Sequence, residues 1–148
     1  MIQVSVSNRQ RSVKLDTARM KRHARRILLE MGFVKAEFSL AVVDDAEMRL
    51  LNATYRRINE PTDVLAFAMT EGRFSGINPQ LLGDVVISAE TAAYRAQRDG
   101  RPLREELNAL LIHGILHLIG YDHERSPADA RIMRAKERSL RRLLESPA

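Results

Sequence analysis

Apolar and polar residues alternate from Ile2 to Val6, the period of a half-buried strand, so the chain is expected to open on one. Asp16 stands where a helix needs its N-cap, the helical pattern behind it runs to Met31, and Gly32 is placed to end it. Alternation returns at Phe38, Leu40 and Val42 as a second strand. Asp44 followed by Glu47 resembles a capping box, opening a helix through Leu51 towards Tyr55. After a turn at Asn59-Glu60-Pro61, "PTDVLAFAM" reads as a third strand, and "EGRFSGINPQLLG", punctuated by Gly and Pro, as a loop. "GDVVIS" is a short buried strand, and Ser88 can cap a helix that stops near Gly100. Pro102 suits a helix's first turn, the run from Leu103 to Leu118 is helical and mostly apolar, and Ser126-Pro127 opens a last amphipathic helix to Leu144. The order β-α-β-α-β-β-α-α-α predicts an α+β fold, a small sheet of about four strands with helices largely on one face. No linker, repeat or low-complexity tract interrupts it, so residues 1–148 read as a single domain.

Composition narrows the class. A chain of 148 residues, 45% hydrophobic and 29% charged, can bury a real core and fits a soluble globular protein. No apolar run approaches a membrane span, and Met1 to Gln10 lacks a signal peptide's charged-then-apolar pattern, so a cytoplasmic protein with no membrane partner is expected. The absence of cysteine leaves any metal to His, Asp, Glu or backbone oxygen. The net charge of +5 suits a polyanionic partner such as nucleic acid. The cations cluster at Arg19, Lys21, Arg22, Arg25 and Arg26, and again at Arg131, Arg134, Lys136, Arg138, Arg141 and Arg142. Both clusters lie on expected helices, where a solvated outer face accounts for them about as well.

The chemistry concentrates in "HGILHLIGYDH", residues 113 to 123. His113 and His117 form an i,i+4 pair whose rings share one helix face. On a continuing helix His123 would lie roughly 9 Å further along the axis, too far to share an ion. Gly120 supplies a C-terminal position that tolerates left-handed backbone, so "GYDH" can turn back and bring His123 over the pair. A lone histidine on an apolar helix is usually a hydrogen-bonded core residue, but this trio reads as a metal site. Three imidazoles without cysteine are typical of catalytic zinc with one position left open. Tyr121 and Asp122 suit turn and packing roles, and Asp122 is also placed to orient a ligating imidazole.

The offsets match H-E-x-x-H-x-x-G-x-x-H, the metzincin peptidase pattern, with one difference. Gly114 fills the slot of the glutamate that serves as general base. A metzincin-like metallopeptidase is therefore one alternative, weakened by the missing proton shuttle. Gly114 would also let another element or a substrate come close to the helix, against a cost of about 1 kcal/mol for a mid-helix glycine.

"HGILHLIGYDH" closely resembles the signature of the YbeY-type endoribonucleases, bacterial rRNA maturation factors. "LNATYRRINEPTDVLAFAM", "LGDVVIS" and the Met and Glu of "MRAKE" resemble further segments of that family, in the expected order, across roughly residues 38 to 144. Ala66 replaces the family's usual Ser, and Ala68 stands where proline is common. The resemblance implies a mixed sheet packed against helices and a zincin-like site in which His113, His117 and His123 hold one zinc ion. It implies a catalytic role for Arg56, which by its position alone reads more readily as a solvated arginine at a helix end. Arg57 is a weaker candidate for contacting RNA. The implied activity is single-strand-specific RNA cleavage in ribosomal RNA maturation, at the small-subunit 3′ end, and in ribosome quality control. The implied partners are single-stranded RNA, the small ribosomal subunit and an assembly GTPase. Whether water or the RNA's own 2′-hydroxyl attacks stays open, as does the general base. A non-enzymatic, zinc-stabilised ribosome-assembly factor is the other alternative. Asp63 and Asp84, near expected strand ends, suit capping and turn roles.

Overall fold

The computed structural model describes residues 1–69 and 81–146. Four strands, β1 (Ile2–Asn8), β2 (Ala36–Val43), β3 (Val64–Ala68) and β4 (Leu81–Ser88), form one sheet in the order β1-β2-β4-β3. β1, β2 and β4 are parallel, and β3 runs antiparallel to β4 at the edge, so the sheet is mixed. The helices are α1 (Thr17–Glu30), α2 (Asp45–Arg56), α3 (Ala89–Asp99), α4 (Leu103–Leu118) and α5 (Pro127–Glu145). The expected α+β architecture is the one found.

The period-two alternation sorts the sheet into two faces. Val4, Phe38, Leu40, Val42, Val85 and Ile87 join the main core with residues of α1, α3, α4 and α5. Val43, Leu65 and Val86 point the other way and pack with Met48 of α2 in a smaller cluster. Four helices thus share one face and α2 lies on the other. α4 is buried nearly all round, as its continuous apolar sequence requires, and contacts β3, β4, α1, α3 and α5.

The helix ends follow their sequence signals. Asp16, Asp44, Ser88 and Ser126 each accept a backbone N–H in the first turn of the helix that follows. Pro102 sits one position before α4 proper, at the N-cap, with no side-chain cap bond. The strand expected over residues 61–69 is confined to Val64–Ala68; just before it the Asp63 carboxylate takes the Val64 N–H at 2.8 Å, while the Asp63 carbonyl accepts from Ser88 N–H in continuation of the pairing with β4. The loop expected from residue 71 lies outside the described residues up to residue 80, and its last three residues belong to β4. No helix among the described residues is long and apolar enough to cross a membrane.

Candidate metal centre

α4 brings His113 and His117 to the surface of the core beside the open edge of β3. Their Nε2 atoms lie 3.1 Å apart. The helix ends in a Schellman arrangement: Gly120 N–H donates to the His117 carbonyl at 3.2 Å and Tyr121 N–H to the Leu116 carbonyl at 2.9 Å. Gly120 has φ +108°, a conformation that costs a residue with a Cβ about 1–2 kcal/mol. The chain therefore reverses there, and the His123 ring reaches 5.4 Å from the His113 ring centre and 5.3 Å from that of His117. One nitrogen from each histidine lies within 4.8 Å of the others.

This donor set fits a metal of the zinc type. Tetrahedral Zn–N bonds of about 2.0–2.1 Å put neighbouring ligand nitrogens roughly 3.3 Å apart, close to the His113–His117 spacing. His123, 43% exposed on its loop, is the adjustable third arm. Burial, then the neighbouring His113 and His123, push the His117 pKa down, which favours the neutral ring that a metal needs.

His113 has its own partner. Glu137 of α5 lies 3.1 Å from its Nδ1, so a proton on Nδ1 donates to the carboxylate and leaves the Nε2 lone pair facing His117. The hydrogen bond from His113, opposed by burial, holds the Glu137 pKa below the usual carboxylate range. Asp122 instead serves the turn: its Oδ1 accepts from Glu124 N–H at 2.9 Å, and Oδ2 lies 3.7 Å from Arg125 Nε. The imidazole's carboxylate partner thus comes from 24 residues along the chain, on another helix. No local spacing signals that contact. The only trace in the sequence is the glutamate of "MRAKE".

The three histidines line a cavity of about 460 Å³ whose opposite wall is β3 and the residues before it. Arg56, the last residue of α2, lines the same cavity. Its Nη2 donates to the Ala66 carbonyl on β3 at 2.7 Å, and its guanidinium carbon stands 5.2 Å from the Phe67 ring centre. Buried Asn52 fixes the turn behind it, donating to the Glu60 carbonyl at 2.9 Å. Arg57 is the left-handed C-cap, φ +60°, and is not among the residues that line the cavity. Thr62, Asp63 and Glu124, which the sequence did not single out for this wall, also line it. Asp63 is ion-paired with Arg95, whereas Asp84 sits inside β4 on the face away from the histidines, not at a turn.

Gly114 is explained by packing. A Cβ built there would stand 2.6 Å from Val85 Cγ1 and 3.2 Å from Val64 Cγ2. The element that comes close is the sheet itself, and the position has no room for a glutamate side chain.

The family described as endoribonuclease YbeY matches residues 5–145. The chain belongs to that family. An endoribonuclease YbeY of Geobacter metallireducens is 46% identical over 145 residues, covering 97% of each chain. One of Aquifex aeolicus is 42% identical over 134 residues, covering 90% of this chain and 86% of its own. A solution structure of a Thermotoga maritima protein aligns with TM-score 0.66 over 97% of this chain and 89% of that one, at 21% identity, and so shares the fold.

Proposed function

We propose that this chain is a zinc-dependent, single-strand-specific endoribonuclease that matures the 3′ end of small-subunit rRNA and acts in ribosome quality control. The observation that carries the reading is the cavity in which a three-histidine cluster faces Arg56. Membership of the endoribonuclease family supports the reaction class. The proposed setting is the cytoplasm, with the small subunit and an assembly GTPase as partners.

His113, His117 and His123 would hold one zinc ion, which supplies Lewis-acid polarisation of a phosphate oxygen or of water. Glu137 keeps the His113 proton on Nδ1. Arg56 offers a planar fork to the scissile phosphate, where negative charge builds in the transition state. It is already held by Ala66 and Phe67, so little ordering is needed when the phosphate arrives. The tight packing at Gly114 favours this reading over peptide hydrolysis, which would need a carboxylate there.

The test is an RNA with a stable hairpin and unstructured flanks, given to the zinc-loaded protein. Cuts are expected in the flanks only and are lost in His113→Ala. Cutting within the stem, or undiminished cutting by His113→Ala, would overturn the proposal. Turnover of casein that a chelator abolishes would favour the peptidase alternative instead.

A further inference from the structure

The second basic cluster of the sequence takes a definite shape on α5. Buried Met133, Leu140 and Leu144 fix which side of the helix faces the core. Arg131, Arg134, Arg138 and Arg142 are all exposed. At 3.6 residues per turn they fall within an arc of about 80° and form one stripe about 16 Å long, with neighbours roughly 5–6 Å apart along the axis. Glu145 closes the stripe at its C-terminal end.

None of the four arginines makes an ion pair or a side-chain hydrogen bond to another group among the described residues. The arginines at positions 9, 95, 98, 101 and 125 all do pair with carboxylates. Four cations in a row without ion pairs repel one another, and like charges one turn apart on a helix are mildly destabilising. The helix dipole favours Arg142 in the last turn but not Arg131 or Arg134 near the N-terminal end, so helix stability does not explain the whole row, whereas a polyanion threaded along it would relieve the repulsion.

The stripe runs along the same helix that supports the metal centre. α5 follows the His123 loop directly, and Glu137, about 60° around the helix from Arg134 on the side towards the core, contacts His113. Beyond the stripe, Arg26 of α1 donates to the Ser146 carbonyl at 3.0 Å, which brings the first basic cluster alongside the end of α5.

The geometry points to this stripe as a phosphate track for the RNA strand where it leaves the three-histidine cavity. The spacing of the arginines is about that of successive phosphates on one strand, and each guanidinium can engage phosphate oxygens in pairs. The inference rests on the RNA reading above and adds a binding surface outside the cavity, one that sets affinity and the path of the strand without reading bases.

The test uses the full chain in chelator, so that binding is read without cleavage. The affinity for an unstructured RNA oligonucleotide, long enough to emerge from the cavity, is measured against salt concentration. Removing four phosphate contacts should make the slope of log Kobs against log[salt] shallower by about 3 in the R131Q/R134Q/R138Q/R142Q variant. Glutamine keeps helix propensity, and all four sites are exposed, so the fold should hold, as circular dichroism would verify. A second variant replaces Arg11, Lys14, Lys35 and Arg104 with Gln, taking the formal charge from +5 to +1 just as the first does. An equal change in both variants would mean that net charge, not the track, governs binding, and would overturn the proposal. An unchanged slope in the α5 variant would overturn it too, as would binding of the wild type to phosphatidylserine vesicles but not to RNA. If the slope shifts only in the α5 variant, the track stands. Failure of the wild type to cleave RNA when zinc-loaded would sink the nuclease reading and is scored in a separate assay.

Discussion

Glu137 and Gly114 show how single residues set what the histidines can do. Glu137 fixes the tautomer of His113 from a distant helix, so removing its carboxylate frees the ring and the proton together. Glu137→Ala should weaken zinc binding by about 10–100-fold in competition with a chromophoric chelator, and Glu137→Gln, which keeps an acceptor oxygen, should lose less. Equal losses in the two variants would mean that the helix packing, not the acceptor, matters. At Gly114 the added methyl of Gly114→Ala meets buried Val85. Overpacking costs about 1–3 kcal/mol and outweighs the roughly 1 kcal/mol gained in helix propensity. Urea denaturation should show a net loss. A gain would mean that the sheet yields easily and that Gly114 answers to something other than packing.

At the scale of elements, the reversal after α4 and the end of α2 do most to assemble the cavity. Gly120 has open space around its would-be Cβ, so its cost on substitution is conformational, unlike that of Gly114. Gly120→Ala should lose about 1–2 kcal/mol and also weaken zinc binding, because the reversal carries His123. Gly120→Asn should lose less of both, since asparagine tolerates left-handed backbone; equal losses would argue against this account. The α4 reversal was legible in the sequence because capping and turning are local chemistry: a histidine pair at i,i+4, a glycine three residues on, and a third histidine after it. The same holds for the caps at Asp16, Asp44, Ser88 and Ser126. What was not legible depends on contacts between elements far apart in sequence. Examples are the Glu137 contact to His113, the seating of Arg56 on Ala66 and Phe67, and the approach of β3 and β4 to Gly114. Asp122 invited the orienting role by being adjacent, yet its carboxylate is used within its own turn.

The whole molecule should respond to acid through buried His23 and half-buried His117. Burial lowers the pKa of His23, with Arg19, Arg26 and Arg22 adding to the effect and the hydrogen bond to Asn108 opposing it; the His117 pKa is lowered as well. The unfolded chain therefore binds more protons than the folded one just below the ordinary histidine pKa of about 6.5. Stability should be full above that pH and fall as the pH drops through it towards the folded-state values. The thermal midpoint of the metal-free protein, followed from about pH 7 to about pH 5, checks this. His23→Gln, which keeps a donor for Asn108, should flatten part of the acid slope. An unchanged slope would leave His23 out of the effect.

The α+β class and the element order were readable from periodicity alone, because each element has one or two clear faces. The placing of α2 on the opposite face from the other helices was not, since it depends on which side of β2 the chain crosses. That crossing is what seats Arg56 across the cavity from the histidines. In this proposal the three histidines hold the one ion on which RNA cleavage by this chain depends. Titrating zinc into metal-free protein while following cleavage of an unstructured RNA tests that dependence. Activity should rise to a plateau at one equivalent of zinc and stay absent in His117→Ala at every ratio. Full cleavage by the metal-free protein, or a plateau that His117→Ala reaches equally, would rule this out.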